Sequence, residues 1–279
     1  MFQIRTLLPI DYEFAVELAN TMDWNMTVED FQFIECLEQG GSFVLVEGLK
    51  RVGIATCISY GKIGWFGNLI VDKTYRKKGS GTMLVQHSLD YLHSQGVETI
   101  GLYAYPYLKE FYSRFGFISD IDFTLLHHEK LDLMETAGAH RINESNFLRI
   151  IDFDKQWFGG DRRKLLEPIV FEDSNVGYYL SERGHIVGYI AATIYESAAW
   201  IGPMICQPSR YDVAGKLISS VLAKSINKKV YVVASKMDTA LYDMFLTLGF
   251  REGFYVSRMF RGKFAAPNCI YLAESLERG

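Results

Sequence analysis

The second half of this 279-residue chain repeats the first half at a nearly constant separation. In three pairs of segments, LYDMFLTLGF repeats LKEFYSRFGF, VGYIA repeats VGIAT, and PMICQPSRYDVAGKLI repeats LIVDKTYRKKGSGTML, at shifts of 133, 135 and 134 residues. Matches that keep their order at one domain-sized period indicate two copies of a single fold, not a solenoid of short repeats.

The apolar pattern predicts the same series of elements in both halves. Alternating apolar residues predict strands, and apolar residues spaced three and four apart predict helices, in the order β-α-α-β-β-β-α-β-α-β. We therefore predict an α/β (α+β) fold, a mixed central sheet flanked by helices, present twice. The domains are expected at 1–130 and 131–279, with the boundary within 130–140. Because no low-complexity linker separates the copies, we expect them to pack together.

A glycine-containing loop joins the fourth predicted strand of the first half to the next helix. Successive backbone N–H groups at the start of a helix attract anions, above all phosphates. Gly79 and Gly81 carry no Cβ that would block a ligand, and Arg76 begins a run of three cations. The GxxxxGK[ST] phosphate loop is absent, and the GxGxxG pattern fails at Leu84. A third phosphate-binding pattern, [R/Q]-x-x-G-x-[G/A], is matched at every position from Arg76 to Gly81.

Composition excludes several other classes of protein. The net charge of −4 argues against a general nucleic-acid binder, and no apolar run is long enough to span a bilayer. The N-terminal sequence does not have the pattern of a signal peptide. Four cysteines lie far apart without a CxxC pair, which argues against a zinc site or a disulfide framework and fits a reducing cytoplasm. We expect neither a metal nor a membrane partner.

The loop resembles the pyrophosphate-binding motif of the GNAT superfamily, the acetyl-CoA-dependent N-acyltransferases. The order of elements is that of this family, and FYSRFGF resembles its late motif at Tyr112, Gly116 and Phe117. These features cover about residues 1–130. MDWNMTVEDF and DKQWFGGDRRKLL further resemble the opening segment and the C-terminal aspartate-arginine signature of a tandem GNAT group.

The resemblance implies a site in the first half that binds acetyl-CoA as a co-substrate. Two central strands would splay apart at a bulge near Gly67. The pantetheine arm would then pair with the backbone of Leu69, Ile70 and Val71. The pyrophosphate would lie on the loop, with the following residues around it: Arg76, Lys77, Lys78, Gly79, Ser80, Gly81 and Thr82.

The resemblance also assigns Tyr112 as the proton donor to the departing CoA thiolate, after direct attack by an acceptor amine. A helix-face aromatic packed on the sheet is the structural alternative for this residue. The acceptor would be a small-molecule amine or a peptide N-terminus.

The general base is left open by the sequence. The splaying strand carries no acid, and Asp72 at its end is expected to cap or to be solvated. Asp23 and Glu29 are weak candidates. Asn68 could orient a water or the acceptor, or its amide could bond to a neighbouring loop. The alternating tyrosines at 103, 105 and 107 could line the acceptor cleft, or could pack against the first helices.

The second copy has lost parts of the motif. Val213 replaces Gly79, Asp212 replaces Lys78, and Phe245 replaces Tyr112. We therefore predict a degenerate second domain and one CoA site. Because of these losses and the missing base, an acyl-CoA-binding sensor without turnover remains an alternative. A nucleotide-binding protein is a third, against which the absent Lys-[Ser/Thr] pair argues.

Overall fold

The structure is a computed structural model that describes residues 1–131, 138–263 and 268–279. The predicted domain boundary at residue 130 adjoins 132–137, which lie outside the described residues. No helix in the described ranges is both long and apolar enough to cross a membrane.

The predicted order of elements is confirmed in both halves, and one further strand, β13, ends the series. The first half contains β1 (Phe2–Thr6), α1 (Tyr12–Asn20), α2 (Val28–Leu37), β2 (Ser42–Glu47), β3 (Lys50–Tyr60), β4 (Ile63–Val71), α3 (Ser80–Ser94), β5 (Thr99–Ala104), α4 (Lys109–Ser113) and β6 (Ile118–His128). The second half contains β7 (His140–Arg141), α5 (Glu144–Phe158), α6 (Arg163–Phe171), β8 (Val176–Glu182), β9 (His185–Ile194), β10 (Ala198–Cys206), α7 (Tyr211–Leu222), β11 (Lys229–Ser235), α8 (Thr239–Thr247), β12 (Arg251–Arg261) and β13 (Ile270–Leu272).

Local sequence explains where several helices begin and end. Thr27 caps α2, because its hydroxyl accepts a hydrogen bond from the Asp30 amide at 3.3 Å and the Asp30 carboxylate accepts one from the Thr27 amide at 2.9 Å. This reciprocal arrangement is a capping box, which a Thr followed three residues later by an acid indicates from sequence. Asn143 caps α5 in the same way. After α3, Gly96 adopts a φ of +79°, which favours glycine and ends the helix.

The strands of both halves form one continuous sheet. Its order is β1-β2-β3-β4-β5-β12-β6-β11-β13-β10-β9-β8-β7 among the described strands. Apart from β13, each strand of one half stands opposite its repeat in the other, so the sheet has an approximate two-fold arrangement. The expectation that the copies pack together is therefore confirmed in a stronger form, because they share their sheet.

The two halves exchange a strand at the centre of this sheet. β12 of the second half pairs with β5 of the first, with Phe260 opposite Gly101. β6 of the first half pairs with β11 of the second, with Leu125 opposite Val233. β6 and β12 also pair with each other. Each half thus completes the sheet of the other, a reciprocal exchange that the repeat alone does not predict.

Helices cover both faces of the sheet. α3 and α4 pack on one face of the first half, where Leu84 and Tyr112 belong to the same buried cluster. α1 and α2 cover the opposite face, where Ala15 and Ile34 are buried against Ile70. A further cluster joins α5 and α6 to Trp65 of β4 and therefore spans both halves.

In the first half, β4 and β5 splay apart as predicted. They pair in parallel only where Ile63–Trp65 faces Thr99–Gly101. Beyond Trp65, no described strand pairs with β4 on that side. A register shift against β3 marks a bulge within 67–70, where Asn68 has a φ of +49°. The bulge therefore adjoins Gly67, the expected place.

In the second half, β13 fills the corresponding opening. β10 and β11 pair in parallel over Ala198–Ile201, and β10 then shows its own register shift. β13 enters there antiparallel to β10, with Tyr271 opposite Ile205 and Leu272 opposite Met204. At the 134-residue shift, Met204 and Ile205 match Ile70 and Val71. The backbone that is open in the first half is therefore paired in the second.

After β13, residues Ala273–Gly279 cross to the first half and form what we call the closing segment. The indole nitrogen of Trp200 donates to the carbonyl of Glu274, and the Tyr60 hydroxyl donates to the carbonyl of Arg278 at 2.8 Å. The Arg162 guanidinium donates to the backbone oxygen of Gly279 at 2.9 Å. These bonds hold the segment against β3 of the first half and against β10 and the α5–α6 connection of the second.

Candidate active site

The loop between β4 and α3 forms a cradle of backbone amides. Lys77 and Gly79 adopt left-handed φ angles of +61° and +84°, so the chain turns sharply before the helix starts. Met83 is the first residue of this turn whose amide donates backwards, to the Gly79 carbonyl at 3.0 Å. The amides of Ser80, Gly81 and Thr82 precede it and find no acceptor within the helix. They remain available to an anion.

The side chains around the cradle leave its mouth open and positive. Arg76, Lys77 and Lys78 are exposed, and the Arg76 Nε donates to the Val71 carbonyl at 2.8 Å. The Ser80 hydroxyl is turned inward and donates to the Tyr75 carbonyl at 3.0 Å. Ser80 therefore contributes its amide to the cradle, while its hydroxyl fixes the turn.

Lys50 joins this positive surface although no sequence pattern singled it out. The ammonium groups of Lys50 and Lys78 lie 4.8 and 5.2 Å from the ring centre of Tyr75. Lys50 starts β3, and the antiparallel register places Gly53 opposite Val71. The predicted succession of strands contained this information, because in two consecutive antiparallel strands the start of the first adjoins the end of the second.

A side chain at Gly81 would stand beside the cradle amides without disturbing the protein. A Cβ built there comes no closer than 3.5 Å to the Phe111 ring, which is ordinary contact. At Gly79 a Cβ meets no described atom within 4 Å, but the positive φ disfavours any side chain. The two glycines therefore have different roles. Gly79 permits the left-handed turn, and Gly81 leaves space beside the amides of the turn.

Leu69, Ile70 and Val71 form the edge of the splay. The side chain of Ile70 is buried among α1 and α2, whereas Val71 faces α3. Leu69 is half-buried. The backbone of these residues faces the opening left by β5, except that the Val71 carbonyl already accepts the Arg76 hydrogen bond. The structure brings this edge and the cradle together.

Tyr112 lies on α4 beside the same edge. Its side chain is buried, and its ring packs edge-on against Phe66 of β4, with 6.2 Å between ring centres, and against Phe111 at 5.1 Å. Its hydroxyl has no hydrogen-bond partner among the described residues. Burial raises the pKa of the Tyr112 hydroxyl well above the usual range, so the group keeps its proton until a strong base approaches.

The residues first considered as the base have structural partners or lie at the surface. Asp72 accepts hydrogen bonds from the amide and hydroxyl of Thr74, which is the expected capping role. The Asn68 amide donates to the Thr56 hydroxyl of β3 at 3.2 Å, so its partner is a neighbouring strand and not the loop that was the alternative for this residue. Asp23 and Glu29 are exposed.

Aromatic side chains stand at the end of β5. The Trp24 indole, from the α1–α2 connection, donates to the Tyr105 hydroxyl at 3.0 Å. Tyr105 stacks on the exposed Tyr107, with 5.6 Å between ring centres, and Phe254 of β12 packs beside it. Tyr103 is half-buried and packs between Trp65 and Phe123. Tyr105 and Tyr107 therefore border the opening, whereas Tyr103 belongs to the core beneath it.

The matched loop of the second half has a different structure. α7 begins at Tyr211, the counterpart of Lys77, so the left-handed turn is replaced by helix. Val213 is buried in the core. Arg210 is bound by two carboxylates, Glu182 at 3.0 Å and Asp212 at 2.9 Å. The left-handed residue of this loop is Ser209, with a φ of +62°, which precedes the helix. The loop therefore lacks the turn at the cradle positions and the free positive charge of the first.

Other potential sites are distinct from the cradle. A cavity of about 290 Å³ lies between the halves, lined by aromatic side chains, Arg258 and residues around β13. Arg258 forms an ion pair with Asp120. In the ranges that the structure describes, no group of three His, Cys, Asp or Glu side chains is placed to hold a metal.

Two models of acetyltransferase families match the chain. The GNAT acetyltransferase family matches residues 5–117, and a GNAT acetyltransferase domain matches residues 150–269. The chain belongs to the GNAT superfamily. It is a tandem GNAT protein and an acyltransferase, since both halves match and related proteins carry that activity in their names.

Individual relatives agree with this assignment over nearly the whole length. Holothin acyltransferase from Pseudoalteromonas sp. (strain SANK 73390) is 22% identical over 91% of this GNAT chain and 85% of its own. A Pyrococcus horikoshii protein assigned as an acetyltransferase has a TM-score of 0.82 at 20% identity, covering 100% of this chain and 96% of that one. A tandem GNAT protein from the clavulanic acid biosynthesis pathway has a TM-score of 0.64 at 12% identity, covering 94% and 98%. At these identities the solved structures show the shared fold.

Proposed function

We propose that the chain is an N-acetyltransferase that uses acetyl-CoA as its co-substrate in the first half, residues 1–130. The observation that carries this proposal is the open cradle beside an open splay. The amides of Ser80, Gly81 and Thr82 lack helical acceptors, and the adjoining edge of β4 has no pairing strand among the described ones. A pyrophosphate suits the first feature, and an extended amide-bearing arm suits the second.

The transfer is proposed to be direct, from the thioester to an amine. Leu69 and Ile70 would present their backbone to the pantetheine arm. Tyr112 would donate its proton to the departing sulfur. Its unpartnered hydroxyl and its place beside Phe66 support this role. The acceptor is a small-molecule amine or a peptide N-terminus, approaching past Tyr105 and Tyr107. A cytoplasmic location is proposed from the widely separated cysteines.

The second half, residues 131–279, is proposed to be a degenerate GNAT-like domain that supports the first. Its splay is filled by β13, and its cradle is replaced by the first turn of α7. It also supplies β12 to the first half's sheet. Its contribution is therefore to complete the sheet and to carry the closing segment to the acceptor side.

Calorimetric titration with acetyl-CoA, CoA and ATP, followed by a thiol-release assay with amines, tests the proposal. Arg76→Ala should weaken acetyl-CoA binding by about tenfold, the order expected for a lost charge-assisted contact. Arg210→Ala is the matched control, because Arg210 is already neutralised by carboxylates. Equal affinity for ATP and acetyl-CoA, or equal effects of the two substitutions, would contradict the assignment.

A further inference from the structure

The proposed reaction requires a group that takes a proton from the acceptor, and the central strands do not provide one. Amines are largely protonated at neutral pH, and only the neutral form attacks a thioester. The sequences of β4, IGWFGNLIV, and β5, TIGLYA, contain no acid. The inference that follows rests on the proposed function and adds to it the source of this base.

The closing segment packs directly on the strand that lacks the acid. A Cβ built on Gly67 would lie 2.6 Å from the carbonyl oxygen of Glu277 and 2.9 Å from its Cα. These are backbone contacts closer than any side chain at position 67 could tolerate. Because Gly67 has no side chain, Glu277 occupies the space that a side chain of β4 would otherwise fill. Gly67 lies one residue before the bulge.

Glu277 and Tyr112 approach the splay from opposite faces of the sheet. Phe66 contacts Tyr112 on the α3–α4 face. Gly67 is the next residue and contacts Glu277, and successive residues of a strand point to opposite faces. An acceptor on the α1–α2 face and a departing sulfur on the other would each meet one of these groups.

The carboxylate of Glu277 is anchored yet partly accessible. It pairs with Arg278 at 2.9 Å, and its side chain keeps 23% of its surface exposed. Arg278 is itself held by Glu274 through two hydrogen bonds of 3.0 and 2.9 Å. Neutralisation of Glu277 therefore leaves Arg278 with a partner, and the segment does not depend on the charge of Glu277.

The surroundings of Glu277 tune its basicity. Burial raises the pKa of Glu277 above its usual value, the nearby charges of Glu274 and Asp30 raise it further, and Arg278 lowers it in part. Tyr195, on the connection before β10, also interacts electrostatically with Glu277. A base is most effective when its pKa lies near the operating pH, so a raised carboxyl pKa suits the role.

We propose that Glu277 is the general base that deprotonates the acceptor amine. Glu277 takes a proton from the acceptor's ammonium nitrogen, directly or through one water. The freed nitrogen forms the C–N bond to the acyl carbon as the C–S bond breaks. The sulfur receives the proton of Tyr112, and the second proton of the nitrogen returns to the Tyr112 oxygen. Glu277 then releases its proton to water, so one proton is produced for each amide formed.

Glu277→Gln tests this role with acetyl-CoA and three amine probes: tyramine, spermidine and an unblocked hexapeptide. Thiol release is measured from pH 5 to 10, together with acetyl-CoA affinity and thermal unfolding. We expect kcat at pH 7 to fall by about a hundredfold, within the usual contribution of a general base. Acetyl-CoA affinity should stay within about twofold of the parent. The deficit should shrink as pH rises, because the amine then loses its proton without help.

Stability separates this role from a structural one. The pKa of Glu277 is raised by folding, so ionisation of this group costs stability as pH rises through the folded-state value. E277Q should therefore unfold at the same temperature as the parent or a higher one at pH 7. Glu274→Gln is the control: it removes the charge that holds buried Arg278 and at least one of the two hydrogen bonds, so it should lower the unfolding temperature. Because the carboxylate at 277 remains, E274Q should keep most of the parent's kcat at pH 7, with the acid limb of its pH profile moved to lower pH by the loss of a charge that raises the pKa of Glu277.

The outcomes are distinct. If the parent releases no thiol with any probe, the proposed function is wrong and the role of Glu277 falls with it. If the parent turns over and E277Q keeps the parent's kcat and pH profile, only the assignment of Glu277 is overturned. Should E277Q fail to fold, Glu277→Ala replaces it, since it removes the carboxylate and leaves the Glu274–Arg278 pair in place. A parental kcat and pH profile in E277A would then overturn the assignment.

Discussion

Arg76 and Arg210 occupy matched positions in the two halves, but only Arg210 is held between carboxylates. Arg210 donates to Glu182 at 3.0 Å and to Asp212 at 2.9 Å. Arg76 forms one hydrogen bond, to the Val71 carbonyl at 2.8 Å. Among the described residues no carboxylate forms an ion pair with it, and the nearby charge of Asp72 interacts with it only electrostatically. The arginine of the second half is therefore neutralised by carboxylates, whereas the arginine of the first half keeps its positive charge for a ligand.

Gly81 and Gly215 provide a matched pair for testing the cradle. A Cβ at Gly81 would meet Phe111 at 3.5 Å, and one at Gly215 would meet Met244 at 3.6 Å, so both sites tolerate a side chain similarly. Gly81→Val should weaken CoA binding at least tenfold, about 1.4 kcal/mol, because the side chain enters the space above the amides. Gly215→Val should leave the affinity unchanged. Calorimetry showing equal affinities for both variants would remove the loop from the site.

Tyr112→Phe should lower kcat by about 10- to 1,000-fold while acetyl-CoA affinity changes little. The ring still packs against Phe66 and Phe111, and only the proton donor is lost. Tyr242→Phe, at an equally buried tyrosine on α8, is the control for removing a hydroxyl from the core. Turnover of Tyr112→Phe within twofold of the parent would show that the tyrosine only packs.

The sequence predicted the order of elements, the cradle and the second half's losses because these are local properties. A strand–glycine turn–helix pattern has the same meaning wherever the strand lies in the sheet. Gly79 needs its left-handed φ for a turn that the sequence itself marks. The capping box at Thr27 and the bulge beside Gly67 were predictable for the same reason.

The strand exchange and the position of Glu277 depend on contacts distant in sequence. β6 and β12 are repeats of each other, so alternation of apolar residues does not decide which half each one joins. Glu277 lies 210 residues after Gly67, and no local pattern connects a glycine in a strand to an acid so far along the chain. Only the sheet order and the path after β13 bring them together.

Gly67→Ala should lower turnover more than it lowers acetyl-CoA affinity. The added Cβ would lie 2.6 Å from the Glu277 carbonyl oxygen, so the closing segment must move away from β4. Because the cradle lies on the other side of the bulge, binding at Gly81 should persist. Steady-state kinetics and calorimetry, with Gly215→Ala as the control, measure the two effects. Parental kcat in Gly67→Ala would mean that the position of Glu277 does not matter for catalysis.

Arg162→Met should destabilise the protein by about 3–5 kcal/mol, the usual result of leaving a buried charge unpaired. Arg162 is fully buried, donates to both carboxylate oxygens of Asp154 at 3.1 and 2.6 Å, and binds the backbone oxygen of Gly279. The aspartate and the arginine of the resembled signature therefore anchor the closing segment in this structure. Arg162→Met combined with Asp154→Leu should recover part of the lost free energy of unfolding, measured by chemical denaturation. A double variant no more stable than Arg162→Met would argue against the importance of this ion pair.

One CoA molecule should bind per chain, although the fold is present twice. In the first half the edge of β4 beyond Trp65 is open, whereas in the second β13 pairs with Met204–Cys206. A ligand would have to displace this strand and the buried Leu272 before it reached the same backbone. The start of α7 still attracts anions, but an exposed helix N-terminus contributes only about 0.3–1 kcal/mol.

Calorimetric stoichiometry should therefore be close to one, and Gly81→Val should abolish most of the observed heat. A second site of comparable affinity that survives Gly81→Val and is lost in Arg210→Ala would show that β13 yields to the ligand and that the second half still binds CoA.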